Sequence, residues 1–337
     1  MAQSLPILVE VTRGSIVESR HAGSAAVVDA AGRIVHAWGD IDAPVFARSA
    51  IKAIQALPLV ETGAADAFGV SEAELALACA SHGGESIHTD CVGSWLGRIG
   101  LGERDLECGP QISSHEATAH AVLRAGGSFT QVHNNCSGKH SGFLTLACHH
   151  RESTRGYIAP DHPTQVRWRR VMEEMSGLDL ARAPTGIDGC GIPVVGVSLS
   201  GLARAFARLA DPAGLADERR AAIARIRSAV AKHPLMVAGH GRFCSEMMGV
   251  LGERAFLKTG AEGVFCAAMP TLGLGLALKI ADGTGRASEV ACGAVLDMLG
   301  VIDDTARPRI AHRLVVPVLN RAGKRVGEIR PARPWPN

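Results

Sequence analysis

The two ends of this chain are written in the same β-rich grammar, with a long helical stretch between them. Near the amino end, Ile7–Val11, Ser24–Asp29 and Arg33–Trp38 read as strands, and Asp29-Ala30-Ala31-Gly32 supplies a turn between the last two. The carboxy-terminal part repeats the pattern with His312–Val318, a turn at Asn320-Arg321-Ala322-Gly323, then Arg325–Ile329. Strands at both ends with helices between them imply one sheet assembled from the two termini, with a helical lobe inserted.

The middle of the chain carries helix signals. Ser71-Glu72-Ala73-Glu74 is a capping box, in which the serine hydroxyl and the glutamate three residues on exchange bonds with free backbone donors. An apolar run, Ala76–Ala80, follows it. Further helices are expected at Ser49–Glu61, His88–Ile99, Glu116–Ala125, Gly138–His150, His162–Met175, Leu199–Leu209 and Leu215–Lys232. Phe256–Ile280 turns β-like again, and Ala287–Gly300 closes with a helix. No internal repeat or long polar linker divides the chain. The expectation is therefore an α/β (α+β) fold forming a single catalytic unit over 1–337. Residues 1–48 plus 240–337 would make the sheet lobe, and 49–239 a mostly helical lobe.

Composition excludes several classes. Lys and Arg number 35 against 33 Asp and Glu, a formal net charge of +2. The one clear basic cluster, Arg167–Arg170 around Trp168, falls on an expected helix and reads as a solvated face, so nucleic-acid binding has no electrostatic footprint. The most apolar stretches, such as Leu272–Ile280, are far too short to span a bilayer, so no membrane association is expected. Met1–Val11 has no cationic region before its apolar run and is not a secretory signal. Nine cysteines without a regular framework then read as free thiols in a reducing cytoplasm.

Several motifs carry chemistry. In Arg48-Ser49-Ala50-Ile51-Lys52, a helical spacing of three puts Lys52 on the face of Ser49, within reach of its hydroxyl. A serine needs such a base to become nucleophilic at neutral pH, and the lysine must be neutral to serve. Burial among Ala50, Ile51, Ala53 and Ile54, with positive charge from Arg48, would lower its pKa. Ser-x-x-Lys is common by chance, but Lys258-Thr259-Gly260 stands downstream in a β-like segment. That pairing is used by serine β-lactamases and penicillin-binding proteins. Their middle element, Ser-Asp-Asn, is absent, and Ser81 in Cys79-Ala80-Ser81-His82-Gly83-Gly84 is the candidate for its role, although the same residues read as a normal helix stop. Asn134-Asn135-Cys136-Ser137-Gly138-Lys139-His140 and Gly186-Ile187-Asp188-Gly189-Cys190-Gly191 place polar and reactive groups among glycines, where backbones approach ligands closely. Their cysteines read either as zinc ligands outside any standard finger spacing or as buried thiols.

Taken in order, Ala47–Lys52, Cys79–His82, Asn135–His140, Asp188–Cys190 and His233-Pro234 with Gly241-Arg242-Phe243-Cys244 resemble the rhizobial-type L-asparaginases over nearly the whole chain. The resemblance implies a serine β-lactamase-like fold, a homodimer, and hydrolysis of L-asparagine to L-aspartate and ammonia. It implies one nucleophilic pair at Ser49 and Lys52, and a second at Ser81 and Lys258. A zinc site at Cys136, Lys139 and Cys190 is implied beside the substrate pocket, with Arg48, His140, Asp188 and Cys244 lining it. The sequence departs from the family in its compact carboxy terminus. On this reading neutral Lys52 takes the proton of Ser49, Lys258 and Ser81 keep Lys52 neutral, Arg48 binds the substrate carboxylate and Asp188 its ammonium. The alternatives are a glutaminase, a β-lactam- or peptide-acting acyl-serine hydrolase, and a non-enzymatic metal or thiol sensor built on Cys136 and Cys190.

Overall fold

The computed structural model describes residues 5–335; Met1–Ser4 of the amino-terminal run lie outside the described residues. In chain order the strands are β1 (Ile7–Arg13), β2 (Ile16–Asp29), β3 (Ile34–Trp38), β4 (Pro44–Phe46), β5 (Thr185–Ile187), β6 (Pro193–Ser198), β7 (Phe256–Thr259), β8 (Val264–Met269), β9 (Leu274–Ile280), β10 (Val316–Leu319) and β11 (Arg325–Pro331). Helices α1 (Lys52–Glu61), α2 (Ala64–Ala67), α3 (Glu72–Ala78), α4 (Ser86–Arg98), α5 (Glu116–Arg124), α6 (Ser137–His150) and α7 (Pro163–Ser176) occupy the first half. They are followed by α8 (Leu199–Ala210), α9 (Asp217–Lys232), α10 (Pro234–Ala238), α11 (Phe243–Leu251), α12 (Gly285–Met298) and α13 (Arg307–Leu314).

One antiparallel sheet runs in the order β10-β11-β1-β2-β9-β8-β7, with β3 pairing β2. Both ends of the chain meet in it, as the sequence pattern requires: Val9 pairs Pro331 and Val11 pairs Ile329. The long strand β2 is the pivot. Its first half pairs β1, and from Gly23 onward it pairs β9. At that changeover the Gly23 α-carbon lies against β9 so closely that a β-carbon would sit 2.4 Å from the Lys279 carbonyl oxygen. Beyond it Ala25, Ala26, Val27 and Val28 are all buried, because helices cover both faces of the sheet.

The helix α8 packs on β9, β2 and β8. Its Leu199, Leu202, Ala203, Phe206 and Leu209 recur at helical spacing and are buried, and Ser198 caps it by accepting the Gly201 N–H. Although residues 199–210 fall within 49–239, α8 thus lies on the sheet. The opposite face takes α12, which contacts β8, β9, β1 and β11. A second, three-stranded sheet in the order β4-β6-β5 was not read from the sequence.

Two boundaries differ from expectation. Residues 312–314 end helix α13 rather than opening a strand, because Ile310 and Leu314 bury one helical face after Pro308 sets the first turn. Ser49 lies in a 3-10 turn, Arg48–Ile51, and the α-helix begins at Lys52. Among the described residues no helix is long and apolar enough to cross a membrane.

Candidate active site

The fold brings the Ser-x-x-Lys and Lys-Thr-Gly segments together. β7 packs against the Arg48–Ile51 turn, and a β-carbon on Gly260 would lie 2.7 Å from the Ala47 carbonyl oxygen, so only glycine permits this approach. The turn is itself strained. Arg48 has φ of 50°, a left-handed conformation that costs a non-glycine residue about 1–2 kcal/mol.

Two lysines, each 1 % exposed, converge on one hydroxyl. Lys52 Nζ donates to the Ala80 carbonyl at 2.5 Å, to Ser81 Oγ at 3.1 Å and to the Asn135 carbonyl at 3.4 Å. Lys258 Nζ lies 2.8 Å from Ser81 Oγ and donates to the Thr259 carbonyl at 2.8 Å. Burial, reinforced by the charge of Lys52, pushes the Lys258 pKa down to about 7. The downstream lysine is thereby brought into the neutral range. Ser49 is half-buried, and its hydroxyl has no hydrogen-bond partner among the described residues, Lys52 included.

Ser49 faces a cleft of about 330 Å³ lined also by Arg48, Asn135, Cys136, Asp188 and Cys190. Across it, Arg48 pairs with Asp188, Nε to Oδ1 at 2.8 Å and a terminal nitrogen to the same oxygen at 2.7 Å. Burial opposes ionisation of Asp188, but the Arg48 hydrogen bond, the nearby charges of Lys139 and Arg48, and the Gly189 N–H hold its pKa below the ordinary value. A larger hollow of about 550 Å³ lies between the Asp29–Arg33 turn and Arg208–Leu215, and neither serine lines it.

The thiols and Lys139 form a third group. Cys136 starts α6, whose Gly138 lies directly on α3: a β-carbon there would sit 2.3 Å from the Leu77 carbonyl oxygen. Lys139 Nζ is 3.1 Å from Cys190 Sγ. Cys136 and Cys190 share a hydrogen bond that drives their pKa values apart, Cys136 toward the thiolate and Cys190 toward the thiol. Burial works against charge on Lys139, but Cys136, Cys190 and Asp188 outweigh it and raise its pKa. Among the described residues no group of three or more His, Cys, Asp and Glu side chains is placed to hold a metal. Two sulfurs and an amine match zinc in donor chemistry, provided the amine is neutral.

Of the other expected pocket residues, His140 and Cys244 are buried and do not reach the cleft wall. His140 Nδ1 is 2.7 Å from the Tyr157 hydroxyl, and its Nε2 has no partner among the described residues. Cys244, on α11, has its thiol pKa raised by burial. Sequence reasoning missed the cleft residues Cys108, Pro110 and Gln111, whose loop offers neither periodicity nor a motif. Gln111 Oε1 accepts the Asn135 N–H at 3.1 Å and so holds one wall.

The fold is mixed α/β, with Ser49 on a cleft wall and two buried lysines meeting at a second serine, Ser81. The chain matches the L-asparaginase II family over residues 9–331 and belongs to it. No curated protein is matched by the sequence. Solved structures similar to it include a β-lactamase from Mycobacterium bovis, at 16 % identity, covering 82 % of this chain and 94 % of that one with a TM-score of 0.39. A β-lactamase candidate from Bacteroides dorei is similar at 13 % identity, 82 % and 93 % coverage and a TM-score of 0.45.

Proposed function

We propose that this protein is an L-asparaginase that hydrolyses L-asparagine to L-aspartate and ammonia through an acyl-enzyme on Ser49. The observation that carries the mechanism is the chain Lys52 Nζ–Ser81 Oγ–Lys258 Nζ, with both spacings at hydrogen-bond length. Ser81 accepts a proton from Lys52 as it gives its own to neutral Lys258. That exchange leaves Lys52 neutral and Lys258 charged, with no net proton gained. Neutral Lys52 then takes the Ser49 proton as Ser49 Oγ bonds to the side-chain amide carbon. The carbon–nitrogen bond breaks, the leaving nitrogen takes the proton held by Lys52 and departs as ammonia, and water cleaves the remaining aspartyl ester, its proton passing through Lys52 back to Ser49 Oγ.

Arg48 and Asp188 neutralise each other in the cleft, and a free α-amino acid carries the complement of both. Its carboxylate would take the Arg48 fork and its ammonium Asp188, exchanging one ion pair for two. Zinc belongs to the same proposal: Cys136, Cys190 and Lys139 would hold it, and a bound cation supplies Lewis acidity and a fixed positive charge at the cleft wall.

Ammonia release from asparagine and glutamine, alongside hydrolysis of a chromogenic β-lactam, tests the reading. Asparagine should be turned over fastest, and Ser49→Ala should slow it by about 10³-fold or more, with Lys52→Ala/Ser49→Ala no worse than either alone. Wild-type rates in folded Ser49→Ala would remove the nucleophile, and turnover of glutamine or the β-lactam alone would remove the substrate. The hydroxyl chain also supports a second reading in which Ser81 attacks. Acyl-enzyme trapped on Ser81, located by mass spectrometry, would establish it.

A further inference from the structure

The Ser81 hydroxyl sits in a segment with no regular structure to hold it. Residues 79–85 link α3 to α4 without helix or strand, and single contacts fix their path. The Ser81 N–H donates to the Val237 carbonyl at 2.9 Å, His82 N–H to Asn135 at 3.3 Å, and Ser114 N–H to Gly83 at 3.1 Å. At the far end of the segment stands Glu85, 6 % exposed. Its Oε1 accepts the His240 N–H at 3.0 Å, and its Oε2 lies 2.5 Å from His240 Nδ1.

The space for this carboxylate is made by glycines on both segments it joins. A β-carbon on Gly239 would lie 2.1 Å from Glu85 Oε1, and one on Gly83 would lie 3.3 Å from the same atom. Gly239 has φ of 100°, so the 239–241 turn takes a path closed to other residues and meets the carboxylate with its backbone. That turn leads into α11, which packs on β7, the strand of Lys258. The neighbouring histidines serve other ends. His88 accepts the Glu85 N–H and lies 3.0 Å from the Leu235 carbonyl, while His82 bonds Ser137 Oγ. His115 Nδ1 faces Thr118 at 2.9 Å and Glu85 Oε2 at 3.9 Å. Glu85 is thus the buried charge that ties the Ser81 segment to the element beside Lys258.

We infer that Glu85 is a positioning residue, whose bonds to the His240 turn set Ser81 Oγ between Lys52 and Lys258. It touches neither substrate nor reacting atoms and acts through where Ser81 stands. The inference rests on the proposed proton chain, so its test needs a readout independent of turnover.

The experiment compares Glu85→Ala, Glu85→Asp and Glu85→Gln by kcat and KM on asparagine, and by NMR titration of ¹⁵N-labelled lysine to follow Lys258. Glu85→Ala should lower kcat by about 10–100-fold per folded molecule with KM within about twofold, the split expected of an interaction that acts on chemistry rather than binding. Lys258, which burial pushes down to about 7, should titrate higher than in the wild type measured alongside, toward the ordinary 10.5, as the loosened segment admits water. Glu85→Asp keeps the charge but loses the reach and should resemble Glu85→Ala; Glu85→Gln keeps an acceptor for the His240 N–H and should restore most of the activity. An unchanged Lys258 titration in Glu85→Ala, or in Glu85→Asp if the alanine protein does not fold, overturns the inference. So does a loss of activity that only follows the loss of folded protein. If asparagine is not turned over by the wild type, the proposed function fails while the titration still decides the role of Glu85.

Discussion

Lys258→Met removes the proton acceptor at one end of the Lys52–Ser81–Lys258 chain, and the pH profile should register the loss. Below about 7 Lys258 is protonated and cannot accept, so wild-type turnover should rise as pH increases through that value. The variant should lose this neutral limb and run roughly 10²-fold slower or worse across it. A limb that persists in Lys258→Met would assign the ionisation elsewhere. At the same scale, zinc analysis of freshly purified protein should find about one equivalent, falling on acidification because protons compete for sulfur and amine. Cys136→Ser and Cys190→Ser should each abolish it, and a metal-free wild type that takes up no added zinc would show that the thiols are not ligands. Much of this site was legible because its residues sit in short fixed spacings. Ser49, Lys52, Ser81 and Lys258 were named from motifs and from the family resemblance, yet the lowered pKa of Lys258 was not foreseen. Which lysine is neutral depends on burial and on the distance to the other charge, and neither is written in a motif. Glu85 escaped for the same reason, since nothing local links it to His240.

The elements were readable where a period or a cap marked them. The box at Ser71 is formed as expected: Glu74 N–H donates to Ser71 Oγ and Ser71 N–H to the Glu74 carboxylate. The hairpin turns at Gly32 and Gly323 close with N–H donation to Asp29 and Asn320. One strand of the second sheet was missed for want of a period. Pro193–Ser198 is buried along almost its whole length and gave no period-two signal. The first half of β2 was missed because its polar residues face outward beside β1. Packing between elements makes its own prediction at Gly275. A β-carbon there would lie 2.1 Å from the Ala203 carbonyl oxygen and 2.2 Å from the Ala207 N, so β9 and α8 meet backbone to backbone. Gly275→Ala should destabilise the protein by about 1–3 kcal/mol or more, read as a lower denaturation midpoint. An unchanged midpoint would mean that α8 can slide without cost. Neither Gly275 nor α8 lines the Ser49 cleft, so turnover per folded molecule should hold.

At the scale of the whole molecule, the sheet is a closure between residues far apart in the chain: Val9 faces Pro331, and the strand of Lys258 reaches β2 only through β8 and β9. The near-neutral charge of +2 gives no long-range field to hurry that search. Synthesis adds a clock to it. At about 5–20 residues per second on the ribosome, β1 emerges roughly a quarter of a minute to a minute before β11 exists to cover its edge. A nascent chain carries Ser49, Lys52 and Ser81 early, but it has no seat for Lys258 until β9 has been made and has joined β2. Truncated products of translation are therefore born without a working proton chain, and the exposed edge of β1 is where chaperones would find them.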